Sequence, residues 1–243
     1  MAITYRALAL MLSYPTDDLQ ALAGEALAAI DDEALVPARI RRALGKLALR
    51  LSTEDLLALQ EDYVWLFDRT RSLSLNLYEH VHGESRERGQ AMVGLLELYR
   101  SKGLELSTGE LPDYLPVFLE FLSTLPDADA ASMLGEAAHV IAAIGERLHK
   151  RGSLYRAAFG ALASLSAARA DREALASLLA EPDDDPSDLA ALDRLWAETP
   201  VTFGPGASGE PSPARGGWRS EAKPGGGLSS QPGHTVVQRR GAV

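Results

Sequence analysis

Apolar residues return at steps of three and four along most of this chain, and no run sustains the alternation of a half-buried strand. That period places one side chain above another on a single helix face and leaves few options besides packed helices. Tyr5, Leu8, Met11 and Leu12 keep the spacing, and so do Leu19, Leu22, Ala26 and Ile30 behind Asp17 and Gln20, which resemble a capping box. Pro37 suits the first position of a third helix, with Ile40, Leu44, Leu47 and Leu51 on its stripe. Ser52 and Asp55 are caps for a fourth, carrying Leu56, Leu59, Tyr63 and Phe67. Gly83 and Ser85 punctuate the next pair, Met92, Leu96 and Tyr99 form a stripe, and Gly103 ends it. Asp113 is expected to cap the helix of Val117, Phe121 and Leu125, with Pro116 in its first turn. Leu134, Ala138, Ile141, Gly145 and Leu148 face inward, then Tyr155, Phe159, Leu162 and Leu165. Two shorter helices are expected near 172–180 and 187–197. The fold class is all-α, a compact helical bundle over residues 1–204.

Residues 201–243 differ in kind, with ten Gly and five Pro and only Phe203 and Trp218 as aromatics. Such a composition buries too little apolar area to offset ordering entropy, so residues 205–243 read as a disordered Gly/Pro-rich tail with little part in binding or stability. The tail holds five basic residues and two acidic ones, which leaves 19 basic and 32 acidic residues in the first 200, a net charge of −13. A body that acidic repels phosphate backbones, so nucleic acid is not an expected partner. It attracts basic peptides, and equally it serves solubility. No stretch of 18 uncharged apolar residues exists, so no membrane insertion is expected, and MAITYRALALMLSYP reads as a first helix rather than a leader. The chain has no cysteine, which excludes disulfides, thiolate metal sites and a cysteine nucleophile.

The block from Glu79 to Met92, EHVHGESRERGQAM, looks at first like a chemical site. His80 and His82 are two apart, so on a helix they point about 200° away from each other and cannot share a metal ion. A metal-dependent hydrolase would have to use His80, His82 and Glu84, without the i, i+4 histidine pair of a zincin. Glu110 and Asp113 could make an acid–base dyad, but a turn and a cap account for both. No nucleophile elbow and no phosphate-cradling glycine loop occur, so no catalytic residue, metal or cofactor is assigned. Gly83 and Gly89 interrupt a helical stretch at a cost of about 1 kcal/mol each if mid-helix. Close approach of a partner, or of another helix, would explain them. Tyr114, Val117, Phe118 and Phe121 exceed one stripe, which leaves a side free to line a groove for an amphipathic helix.

YVWLFD at 63–68, the block just quoted, ELPDYLPVFLEFLS at 110–123 and WAETPVTFG at 196–204 together resemble the NarJ family of nitrate reductase assembly chaperones. Related chaperones of molybdenum enzymes carry a Glu-Pro-x-Asp-His element; here Leu111 stands before Pro112 and Tyr114 replaces the histidine. The resemblance implies a cytoplasmic chaperone, not an enzyme. It implies binding of the apo catalytic (alpha) subunit of respiratory nitrate reductase through that subunit's basic N-terminal segment. Molybdenum cofactor and an iron–sulfur cluster then enter the client before it docks at the membrane. The client-binding residues implied are Tyr63, Phe67, Tyr78, Glu79, His80, Glu84, Arg86, Arg88, Gln90, Glu110, Pro112, Asp113, Tyr114 and Phe118. The alternatives left by the residues alone are the hydrolase and a generic helical scaffold without a dedicated client.

Overall fold

A computed structural model describes residues 2–83, 86–106 and 109–181 and the backbone of 237–239. The described residues lie in one compact unit and contain eleven α-helices. In chain order these are α1 (Ile3–Leu12), α2 (Asp17–Glu33), α3 (Ala38–Thr53), α4 (Leu56–Tyr63), α5 (Leu77–His82), α6 (Arg86–Ser101), α7 (Leu115–Leu122), α8 (Asp127–Glu136), α9 (Ala138–Lys150), α10 (Arg156–Leu165) and α11 (Arg172–Ala180). None of them is long and apolar enough to cross a membrane. The expected helix near 187–197, Ser85 and nearly all of the expected tail lie outside the described residues.

α7 is the centre of the packing. Leu115, Val117, Leu119, Phe121 and Leu122 are fully buried and Phe118 nearly so, as a helix apolar on every side requires. α1 lies against it and against α2, α2 packs on α3, and α10 sits between α3 and α9. A side chain at Gly145 would press on Phe159 Cβ at 3.3 Å, so glycine there sets how closely α9 and α10 approach.

Several helix ends differ from the sequence expectation. Thr16, not Asp17, caps α2: its hydroxyl accepts from Leu19 N at 3.2 Å, while Asp17 and Asp18 occupy the first turn. Pro37 is one residue outside α3. Asp55 caps α4 as expected, accepting from Ala58 N, but Ser52 turns back to the Leu49 carbonyl. α1 has no local cap; Glu33, from the last turn of α2, accepts from Ile3 N and Thr4 N, each at 2.7 Å. Carboxylate and amide donors thus meet across tertiary space, a pairing invisible to local spacing.

After α4 the chain makes a π-helical turn over Val64–Asp68 and a 3₁₀ turn over Arg71–Leu73. The segment that follows is tied to the start of α7: Leu115 N donates to Leu75 O, and Leu77 N to Asp113 O. These bonds seat α5 beside α7. β1 (Leu104–Leu106) follows α6 and pairs antiparallel with β2 (Val237–Arg239), three residues drawn from the stretch expected to be disordered.

Candidate functional site

α5, α6, the start of α7 and the junction of α8 with α9 enclose a groove of about 310 Å³. Leu77, Val81, Leu95, Leu98, Phe118, Met133 and Val140 supply its apolar walls. Tyr78, Asp113, Glu136 and His139 supply its polar groups. Gly94 faces the open space: a Cβ built there meets no atom within 4 Å. The expected stripe on α6 is turned accordingly. Leu95 and Tyr99 are buried, whereas Met92 and Leu96 are only half-buried.

Asp113 is the most unusual residue of this groove. It does not cap α7, whose N-cap is Tyr114 without a side-chain bond. Its Oδ2 instead accepts from Tyr78 N at 3.2 Å, so it caps α5, a helix 35 positions earlier in the chain. Arg88 Nη2 stands 3.8 Å from the same oxygen, while Asp113 Oδ1 and Arg88 Nε have no hydrogen-bond partner. The carboxyl group is fully buried. Burial pushes its pKa up; the Tyr78 amide and the Arg88 charge oppose that shift without cancelling it. A buried carboxylate with one oxygen unmet is costly alone and is relieved by an incoming donor or cation. Tyr99 fixes the approach to it, donating from its hydroxyl to the Pro112 carbonyl at 2.8 Å.

Of the residues expected to bind a client, the groove gathers Tyr78, Asp113 and Phe118, with Arg88 behind them. Tyr63, Phe67 and Tyr114 belong to a separate cluster. The Tyr63 hydroxyl donates to Leu12 O at 2.9 Å and meets the Tyr114 hydroxyl at 2.8 Å. The Phe67 ring packs against both the Tyr63 and Tyr155 rings, 4.9 and 5.1 Å between centroids. Glu79 accepts from Ser74 Oγ at 2.7 Å and pairs with Arg71. Pro112 is buried as the acceptor for Tyr99. Arg86, Gln90 and Glu110 are exposed, and Glu84 lies outside the described residues.

His80 and His82 do not converge. A ring nitrogen of His80 bonds the Ser74 carbonyl at 2.8 Å, and burial pulls its pKa down. The His82 ring stands edge-on to Tyr78, with Nδ1 4.0 Å from Glu87. Among the described residues no three His, Asp or Glu side chains are placed to hold a metal ion. Gly83 is explained by its backbone, φ +56° and ψ −139°, which glycine adopts without steric cost. At Gly89 a Cβ meets nothing within 4 Å, so packing of a neighbouring helix does not account for it.

Sequence reasoning missed most of the wall. Met133, Glu136, His139 and Val140 come from beyond the densest block, and only the fold brings them to Tyr78. Gly94 was the readable clue, a third glycine within twelve residues of helical pattern. Arg147 also went unnoticed: fully desolvated, it donates to Ser72 O and Leu178 O and so fastens α9 to both the α5 approach and the end of α11.

Residues 33–161, which include every residue lining the groove, match the family model described as nitrate reductase delta subunit. The chain is 42% identical over 195 residues to the nitrate reductase molybdenum cofactor assembly chaperone NarJ of Escherichia coli (strain K12), covering 79% of this chain and 81% of that one. It is 39% identical over 198 residues to NarW of the same strain, covering 82% of each. In fold it is similar to the crystal structure of a candidate redox enzyme maturation protein from Archaeoglobus fulgidus. That likeness has a TM-score of 0.50 at 23% identity and covers 67% of this chain and 91% of the other.

Proposed function

Since the chain belongs to the nitrate reductase delta subunit family, we propose that it is a dedicated assembly chaperone for nitrate reductase, required for molybdenum cofactor insertion and not itself a catalyst. Its client is the apo catalytic subunit, held in the cytoplasm by a basic, amphipathic N-terminal segment that lies as a helix in the α5–α9 groove. The observation that supports this reading is the groove itself. It is walled mainly by apolar residues, open at Gly94, and has a buried carboxylate with one oxygen unmet. Apolar side chains at i, i+3, i+4 and i+7 of a helix would meet Leu95, Leu98, Phe118 and Val140, and a cation or donor among them would meet Asp113. The acidic body adds attraction at longer range.

Three or four anchors at about 1.5–3 kcal/mol each, less the cost of association, correspond to roughly micromolar affinity. Because the chain has no cysteine, the ligands of any iron–sulfur cluster are the client's own. The chaperone acts by keeping the client open while cofactor and cluster enter.

Gly94→Leu tests the groove with little disturbance of the fold. The new side chain projects into open space, and leaving glycine favours α6 by about 0.5–1 kcal/mol. Calorimetry with a synthetic client peptide of about 15–20 residues, a helix roughly 22–30 Å long, should lose its binding heat. Circular dichroism should stay helical and Tm should hold or rise. Unchanged peptide affinity in a folded Gly94→Leu protein rejects the groove as the client site.

A further inference from the structure

β1 stands where α6 hands over to α7. Leu98, on the last turns of α6, lines the groove; Gly103, at φ +75°, turns the chain; and Leu104 is buried, anchoring β1 to the body. Its partner comes from far along the chain, with Leu104 opposite Arg239, Glu105 opposite Gln238 and Leu106 opposite Val237. β2 also lies beside α7, the helix that supplies Phe118 to the groove. The pairing is only three residues long, and an isolated two-stranded ribbon of that length is marginal in water. Few backbone bonds therefore hold β2 in place.

The sequence around β2 has its own chemistry. VVQRR joins β-branched residues to two arginines within a tail of five basic and two acidic residues, whereas the first 200 residues carry a net charge of −13. Apolar and basic together is also the chemistry of the client segment proposed above.

We propose that Val237–Arg239 is a tethered self-ligand: by adding a strand to β1 it covers the α6–α7 junction, and a client entering the groove displaces it. The inference rests on the chaperone reading for the identity of the competitor, but not for the strand contact. An intramolecular partner acts at an effective concentration of up to about millimolar, so even a pairing worth only ~0.1 mM in free solution stays closed about nine-tenths of the time. A competitor closed that often lowers apparent client affinity about tenfold. The self-ligand would thereby set a threshold that weak, non-cognate basic peptides fail to cross.

The test uses the full chain and the double substitution Val237→Pro with Gln238→Pro. Neighbouring residues of a strand direct their N–H groups to opposite sides, so one of the two prolines always removes a donor to β1. Hydrogen exchange read by mass spectrometry should show Leu104–Leu106 exchanging about tenfold faster in the variant, as for loss of a local closed state. A synthetic peptide copying residues 232–243 should restore protection to the variant in a saturable way, and a scrambled copy should not. The synthetic client peptide should bind the variant roughly tenfold more tightly than the parent. Equal exchange in the two proteins overturns the strand contact. Faster exchange with equal client affinity overturns the competition and leaves the chaperone reading intact. Client peptide that binds neither protein rejects the chaperone reading and, with it, the competition.

Discussion

Two clusters containing aromatic residues lie in this molecule, and they have opposite characters. Around Tyr63 the space is filled. Phe67, Tyr155 and Tyr14 surround its ring at 4.9, 6.3 and 5.6 Å, and its hydroxyl is committed to the Leu12 carbonyl and to Tyr114. Beside the buried Asp113 lies the groove, with open space at Gly94 and one carboxylate oxygen unpaired. The filled cluster holds α1, α4 and the loop before α7 in register. The open one leaves interaction energy unspent, which is what a binding site needs. Residues that read as one client-binding set in the sequence thus divide into a brace and a bed.

The largest effect expected from testing that division is on stability. Phe67→Ala removes a ring packed on both Tyr63 and Tyr155 and should cost about 3–5 kcal/mol in denaturant unfolding. A protein that keeps its unfolding midpoint while losing client binding would move Phe67 from brace to bed.

Asp113→Asn should do the reverse. The amide oxygen can still accept from Tyr78 N, and removal of a buried charge relieves its desolvation, so thermal stability should hold within about 1 kcal/mol. Peptide affinity should fall about ten- to a hundredfold, the range of a hydrogen bond to a charged group at about 1.5–3 kcal/mol. Calorimetry beside a melting curve reads both, and unaltered affinity would remove Asp113 from the bed.

Within the brace, Tyr63→Phe should cost about 1 kcal/mol, because it strips two partners from a buried hydroxyl network. Tyr155→Phe should cost nothing or stabilise slightly, since its buried hydroxyl has no partner to lose. Equal costs for the two changes would show that ring packing alone, without hydrogen bonds, holds the cluster.

The smallest effect is a pH slope. Burial holds the His80 pKa below its ordinary 6.5, so folding favours the neutral ring. Its contribution is complete above that ordinary value and declines as pH falls from there toward the depressed folded value. His80→Gln keeps a donor for the Ser74 carbonyl and should flatten Tm against pH in that window alone. A slope that survives the substitution belongs to another group.

What the sequence determined by itself is the helical class and most helix positions, because a buried stripe at period 3.6 is a local property. The stripes of α2, α3 and α10 stand largely where the spacing of Leu19, Leu44 and Phe159 placed them. The cysteine-free composition also determined that this chain supplies no thiolate. Family membership was legible in the order of EHVHGESRERGQAM and ELPDYLPVFLEFLS. Only the tertiary structure decided which of those residues face a groove. Asp113 reads as a cap for the helix that follows it, yet it caps α5, since a carboxylate serves whichever amides the fold presents. Glu33, which no local pattern singles out, holds the start of α1. The α8–α9 wall and the β1–β2 pairing join residues that lie far apart in the chain. Periodicity reports which side of an element is buried; against what it is buried is settled by packing between elements, on which local spacing is silent.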